Sequence, residues 1–349
     1  MAPGRAEMDK VHPELEKLFA KTGPPPPLPV PTRETVGRFR TAFNRGRQRY
    51  NSSAFVKSTL PSPPTWKEHD IQIPVRDGTT IPTRIYTPPN PRPAAVVFFH
   101  GGGWFMGDLE TEAHDCQLLC ARLGVAVFNV AYRLYPDVAF PVPIYDAYDA
   151  VKYIAAEYSS TLNLDRGFIV AGSSGGATFA SIVCHFARDE GLKPALTGCH
   201  VTCPIFTDEV PGPNGEITRI FGPERYASQD THANGMLQNR KMKEAILKLS
   251  TFPLGKSQLL SPLHAENHAN LPPAYVQVCG LDPWRDGGII YAEELEKEGV
   301  RTKVEVFSGL PHVWWTVFPM LKISRVRFEE MVKGMDWLLR SNTAAKEKL

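Results

Sequence analysis

From residue 66 onward the apolar positions fall into two alternating patterns. Short unbroken apolar runs, AAVVFFH at 94–100, VAVFNV at 125–130 and GFIVAG at 167–172, predict strands buried on both faces. ALTGCHVTCPIF, AYVQVCG and RTKVEVF, opening at 195, 274 and 301, are read as further strands, without that assignment of burial. Between them lie segments with helical spacing. In VPIYDAYDAVKYIAAEY, residues Ile144, Ala147, Tyr148, Val151, Ile154, Ala155 and Tyr158 share one face. TEAHDCQLLCARL, TFASIVCHFARDEG, GGIIYAEELEKEGV and KISRVRFEEMVKGMDWLL are also helical, the third of these ended at Gly299. Ahead of them HDIQIPV and TIPTRIYTP flank the Asp77-Gly78 turn, a hairpin signal. Strands alternating with helices of this length predict an α/β fold with a mostly parallel central sheet covered on both faces.

Two stretches break the alternation. Residues 1–65 hold a short amphipathic segment, VHPELEKLFAKTG, then the polyproline-like GPPPPLPVP, which cannot be helical. A second helical segment, TRETVGRFRTAFNRGRQRY, follows, in which Phe39 and Phe43 share a face. Residues of about 207–262 carry the loop VPGPNGE and the helix NRKMKEAILKLS. The expected layout is an arm at 1–65 contributing to a cap, and a catalytic domain at 66–349 with a cap insertion at about 207–262.

The 39 Lys and Arg against 37 Asp and Glu leave a net charge of +2, with no basic stretch interleaved with aromatics, so no nucleic acid partner is expected. No apolar run reaches the ~18 residues of a membrane helix, and the first residues do not read as a signal peptide. The expectation is a cytoplasmic protein without stable membrane insertion. Cys116, Cys120, Cys184, Cys199, Cys203 and Cys279 form no C-x-x-C pair. Cys199 and Cys203 in CHVTC fall short of the about four ligands of a zinc site, so buried thiols and no metal are expected.

The chemistry gathers at strand ends. AGSSGGA at 171–177 sits between a buried strand and a helix, and G-x-S-x-G in that place is a nucleophile elbow. Only the frame centred on Ser174 has glycines two before and two after; the frame on Ser173 starts at an alanine. A phosphate loop would need a following Lys and Ser or Thr, which are absent. Upstream, His100-Gly101-Gly102-Gly103-Trp104 ends another buried strand, as does a loop whose N–H groups meet an oxyanion, with His100 as its support. The order in this fold is serine, acid, histidine. Asp282 follows the strand AYVQVCG directly, whereas Asp286 reads as a helix cap. His312 in SGLPHVWW lies after the last strand and before the last helix.

With these residues placed, the chain resembles the hormone-sensitive-lipase-like esterases of the α/β-hydrolase superfamily over residues of about 68–340. YRLYPDVAFPVPIYDAYDAVKYI, SPLHAENHANLPPAYVQVCGLDPWRDGGIIYAEELEKEGV and FSGLPHVW add to the H-G-G-G-W and G-x-S-x-G-G motifs. The resemblance implies an α/β-hydrolase fold with a helical cap, Ser174 as nucleophile, His312 as base and Asp282 as acid. It further implies oxyanion donors at the N–H groups of Gly102, Gly103 and Gly175. Two departures stand out: Ser173 where the family usually has Asp, and Gly175 where it usually has Ala.

The expected activity is hydrolysis of short- to medium-acyl esters of small apolar molecules through an acyl-enzyme, such as metabolite deacetylation or lactone opening, without cofactor. Trp104, Phe39, Phe43, Phe206 and Trp314 are the expected pocket residues, with Trp314 or Trp315 narrowing it. An acyltransferase or lyase on the same scaffold is the alternative. A non-catalytic small-molecule receptor is a further one, against which the intact His312 speaks. Either a monomer or a homodimer is compatible with the sequence.

Overall fold

A computed structural model describes residues 3–26, 28–206, 215–252 and 257–346, with the side chains of Glu216 and 342–346 excepted. Most of the loop VPGPNGE and part of the 207–262 insertion lie outside these residues. The continuous apolar runs form the middle of one eight-stranded sheet. Its strands are β1 (Lys67–Pro74), β2 (Thr80–Thr87), β3 (Ala95–Phe99), β4 (Ala126–Val130), β5 (Phe168–Ser173), β6 (Gly198–Thr202), β7 (Ala274–Cys279) and β8 (Thr302–Phe307). They lie in the order β1-β2-β4-β3-β5-β6-β7-β8. β1 and β2 pair antiparallel, as the Asp77-Gly78 turn requires, and β2 meets β4 antiparallel. From β4 across to β8 the pairing is parallel throughout.

Strand side chains alternate between faces, so each central strand feeds two cores. Val97, Phe99, Phe128 and Val170 join one core; Val96, Phe98, Val127, Ile169 and Ala171 join the other. The first core is closed by α6 (Val142–Glu157), α7 (Gly175–Asp189) and α11 (Arg285–Lys297). The second is closed by α5 (Ala113–Leu123) and α12 (Lys322–Lys346). Burial on both faces explains why these strands lack polar alternation in the sequence.

The segment ahead of the sheet divides in two. Its first part, α1 (Arg5–Met8) and α2 (Pro13–Thr22), docks beside the loop after β8: His12 N donates to the Gly309 carbonyl, and Gly309 N donates to that of Met8. Phe19 meets Phe318 edge-on. The second part, α3 (Val36–Asn51), lies over the C-terminal ends of the strands, with α4 (Ala54–Lys57) leading back to the sheet through Phe55 on Phe328. Arg40 of α3 donates to the carbonyls of Phe105 and Tyr135 and to Asp137, pinning the helix to two loops. From the later insertion come α8 (Glu216–Phe221), α9 (Ser228–Thr231) and α10 (Arg240–Ser250). Both parts of the 1–65 arm meet the insertion: Arg5 donates to the Arg225 carbonyl and Asp9 pairs with His232, while α3 lines the cavity together with α10.

Candidate active site

β5 ends at Ser173 and α7 begins at Gly175, so Ser174 alone makes the reversal. Its φ of 54° and ψ of −120° is a conformation that side-chain-bearing residues rarely adopt. The turn is tight enough that a Cβ on Gly172 would lie 2.2 Å from the Gly176 carbonyl oxygen, and one on Gly176 2.1 Å from that of Phe99. Glycine at both positions is therefore steric necessity. The Ser174 N–H is occupied by the Thr202 carbonyl at 2.8 Å, which anchors the elbow to the neighbouring strand.

Ser174 Oγ lies 2.8 Å from His312 Nε2, and His312 Nδ1 lies 2.6 Å from Asp282 Oδ2. With Nδ1 donating to the carboxylate, Nε2 is left as the acceptor for the serine hydroxyl. The other oxygen of Asp282 accepts from Trp284 N at 2.9 Å. All three side chains are buried, Ser174 at 5% exposure and the other two at 1%. Burial opposes a charged imidazole, but the adjacent Asp282 carboxylate outweighs it and holds the His312 pKa above its ordinary value. Asp286 points elsewhere. It accepts from Ala227 N and Ser228 N and from Arg285 Nε, so it fixes the start of α9 rather than capping its own helix.

The glycine loop after β3 passes beside Ser174. Gly102 and Gly103 take positive φ, and among the described residues their N–H groups donate to no protein acceptor. Gly175, as the first residue of α7, has no intrahelical acceptor for its N–H either. Gly101 N donates to Glu112 Oε2 at 3.1 Å. His100 is a support, as expected: Nδ1 lies 2.7 Å from the Gly101 carbonyl, its ring stacks on Tyr132, and burial depresses its pKa to about 4.

A cavity of about 70 Å³ opens on Ser174 and His312. Of the five aromatic residues expected around it, only Phe43 lines it. Phe39 sits one turn earlier on α3, away from the cavity. Trp104 turns under the loop, where Nε1 donates to the Gly175 carbonyl at 2.8 Å and the ring stacks on Phe179. Phe206 belongs to the sheet core beside Tyr291. Trp314 and Trp315 are both buried against each other in the second core, and Val313, at φ 46°, faces the cavity instead. The remaining wall is of two kinds. Phe105, Met106, Met242 and Ile246 are apolar; Arg47, Thr111, Glu112, Ser173 and Gln238 are polar. The polar set carried no signal in the hydrophobic pattern. Burial pushes the Glu112 carboxyl up to about 7, with Arg47 opposing.

Among the described residues one cluster has metal-ligand spacing, Cys203, Cys279 and Asp282. It offers three ligands where a structural zinc takes four, and both oxygens of Asp282 are already engaged. The two cysteines of CHVTC do not share a site. Cys203 meets Cys279 at 3.1 Å between sulfurs, whereas Cys199 is beside Cys184. All six thiols are free and buried. No helix among the described residues is long and apolar enough to cross a membrane.

Comparison with known proteins agrees with the fold. A family model described as α/β hydrolase fold matches residues 96–316. An AB hydrolase superfamily protein of Schizosaccharomyces pombe is 32% identical over 335 residues, covering 95% of this chain and 94% of that protein. The versiconal hemiacetal acetate esterase of Dothistroma septosporum is 31% identical, covering 80% and 84%. Among solved structures, vibralactone cyclase superposes with a TM-score of 0.87 at 28% identity, covering 98% of each chain.

Proposed function

From the premise that the chain belongs to the α/β-hydrolase family, in its hormone-sensitive-lipase-like branch, and is a carboxylesterase-type hydrolase, we propose that it cleaves short-acyl esters of small molecules through a Ser174 acyl-enzyme. The observation that carries this reading is the buried relay of 2.8 Å and 2.6 Å from Ser174 through His312 to Asp282, opening on a small cavity. His312 takes the proton of Ser174 as its oxygen attacks the ester carbonyl. Asp282 holds the imidazole in the required tautomer and stabilises its charged form. The N–H groups of Gly102, Gly103 and Gly175 meet the oxyanion, each worth about 2.7–4 kcal/mol of barrier by analogy with a single donor elsewhere. His312 then protonates the leaving alcohol, and water repeats the attack to release the acid.

Size sets the acyl range. A single water needs about 10–15 Å³ of such space, so about 70 Å³ holds roughly five water-sized groups. That suits acetyl to butyryl chains and not palmitoyl. The test is a p-nitrophenyl ester series from acetate to palmitate, with fluorophosphonate labelling read by intact mass. Wild type is expected to turn over the short esters and take one label. Ser174→Ala is expected to lose label and, on the order of 10⁶-fold, turnover. Absence of both turnover and label in wild type overturns the reading. Labelling retained in Ser174→Ala and lost in Ser173→Ala assigns the nucleophile to the other serine.

A second reading is favoured by the likeness to vibralactone cyclase. The same acyl-enzyme, attacked by a hydroxyl of the substrate itself, closes a lactone, and the reverse path opens one. Lactone formation from an ω-hydroxy ester at the expense of free acid would favour it over simple hydrolysis.

A further inference from the structure

Arg47 sits one helical turn beyond Phe43, on the face of α3 that looks into the cavity. Its side chain is only 7% exposed. Nη2 donates to the Thr111 carbonyl and the guanidinium lies over the Tyr50 ring at 4.7 Å. Nε has no acceptor, and among the described residues the group forms no ion pair. A guanidinium stays protonated under all ordinary conditions. A charge so placed, away from water and without a carboxylate in contact, is costly unless a ligand completes it.

Nothing in the protein wall completes it. Glu112 lines the same cavity and the two charges act on each other, but its Oε2 accepts from Gly101 N and it forms no ion pair with Arg47. Across the space, Gln238 precedes α10, and its Oε1 is buried with no partner. A rotation of that amide presents its NH₂ group instead. Two side chains from two different roof segments, each with an unmet hydrogen-bonding atom, thus line one small cavity that also contains Ser174.

We propose that Arg47, with Gln238 opposite, forms an anion subsite that selects esters bearing a carboxylate within a few bonds of the scissile carbonyl. The inference rests on the ester-hydrolase reading and adds the substrate class. A guanidinium meets a carboxylate with parallel N–H donors, which fixes orientation as well as charge. The anchored carboxylate would hold the ester carbonyl at Ser174, and the apolar wall of Met242 and Ile246 would cover the carbon chain between them.

The experiment compares matched pairs, one ester anionic and one neutral. Monoethyl succinate is set against ethyl 4-oxopentanoate, its neutral isostere, and 3-acetoxypropionate against methyl 3-acetoxypropionate, which moves the carboxylate to the alcohol side. Ethanol or acid release gives kcat/KM for each. The readout is the ratio of anionic to neutral ester. Wild type is expected to favour the anionic ester of at least one pair, and Arg47→Met to lower that ratio about 10- to 100-fold, chiefly through KM. Arg47→Lys, which keeps the charge but not the fork, should retain an intermediate ratio. If Arg47 only pins α3 to the Thr111 turn, both members of a pair fall together and the ratio does not move; that result, or a wild-type preference for the neutral ester in both pairs, overturns the proposal. Calorimetric binding of the same pairs to Ser174→Ala reads the ratio without turnover. A protein that binds the anion selectively yet hydrolyses nothing would sink the esterase reading and leave the subsite standing.

Discussion

Gly175→Ala is the sharpest test of how the elbow is built. Relatives of the resembled family usually carry alanine after the serine, and alanine favours a helical backbone over glycine by up to about 1 kcal/mol. On propensity alone the change should stabilise. Here a Cβ at 175 would lie 2.7 Å from Trp104 Nε1, 2.8 Å from Cδ1 and 3.2 Å from Cε2. The indole has nowhere to retreat. It is 2% exposed, stacked on Phe179 on one side and met edge-on by Phe252 at 5.4 Å on another. Overpacking a filled core costs about 1–3 kcal/mol. Displacing the ring also breaks its bond to the Gly175 carbonyl, worth about 1 kcal/mol. The balance is a net loss of about 1–3 kcal/mol. It is read as a lower urea midpoint at unchanged slope. Because residue 175 supplies a proposed oxyanion donor, kcat on p-nitrophenyl butyrate should also fall by about 10-fold, short of the about 100-fold that a 1 Å misplacement brings. In a Trp104→Phe background the stability loss should shrink by at least about 1 kcal/mol, because the clashing nitrogen is gone. A midpoint equal to or above wild type for Gly175→Ala would refute the reasoning.

Further outcomes follow from the same contacts. Because the His312 pKa is held above about 6.5 by Asp282, and a general base must be neutral, kcat/KM should rise with pH along a limb whose midpoint lies above that value. Asp282→Asn should move the midpoint down and lower kcat by about 10⁴-fold, as loss of the orienting carboxylate does in other triads. The same raised pKa makes this group's contribution to stability complete below about pH 6.5 and lost as pH rises through the folded-state value, a trend that urea midpoints against pH would show and that Asp282→Asn should abolish. Asp286→Ala leaves the buried Arg285 short of one partner and frees the start of α9, so it should cost about 3–5 kcal/mol; Asp286→Asn should keep most activity, in contrast to Asp282→Asn, and equal losses would contradict the assignment of the acid. Ser174→Gly should be more stable than Ser174→Ala by about 1–3 kcal/mol, because only glycine accepts φ 54° and ψ −120° without strain; equal melting temperatures would argue against a strained elbow.

The fold was open to reading because parallel strands buried on both faces leave a distinctive mark. Unbroken apolar runs such as Val96–Phe99 and Phe168–Ala171 have no polar alternation, and they sit in the sheet where that pattern puts them. The residues of the relay were readable for a related reason. Ser174 and Asp282 follow closely on buried strands and His312 lies in the loop after β8, and parallel strands deliver their C-terminal ends to one side of the sheet, so the three converge although 138 residues separate the first from the last. The turn geometry added its own signal, since two glycines framing Ser174 are required by backbone contacts of 2.2 Å and 2.1 Å.

The pocket obeys a different logic. Large aromatic side chains near strand ends have the most apolar area to bury, and the sheet core competes for them with the cavity. Trp104, Phe206 and Trp314 went to that core. The cavity wall was then left to residues from the roof and from loops, where no period of 2 or 3.6 marks which side chain faces inward. Val313 shows how small the deciding step can be. Its φ of 46° turns the chain so that Val313 meets the cavity and Trp314 meets Phe307. Arg47 is the instructive case on α3. Phe39, Phe43 and Arg47 are spaced four apart on one helical stripe, and its last two members, Phe43 and Arg47, line the cavity while Phe39 lies a turn short of it. Reading that stripe only for apolar residues hides its end. Read for every side chain, it places an unpaired guanidinium in a space shared with Ser174, and a cavity otherwise suited to plain short-chain esters acquires a fixed positive charge.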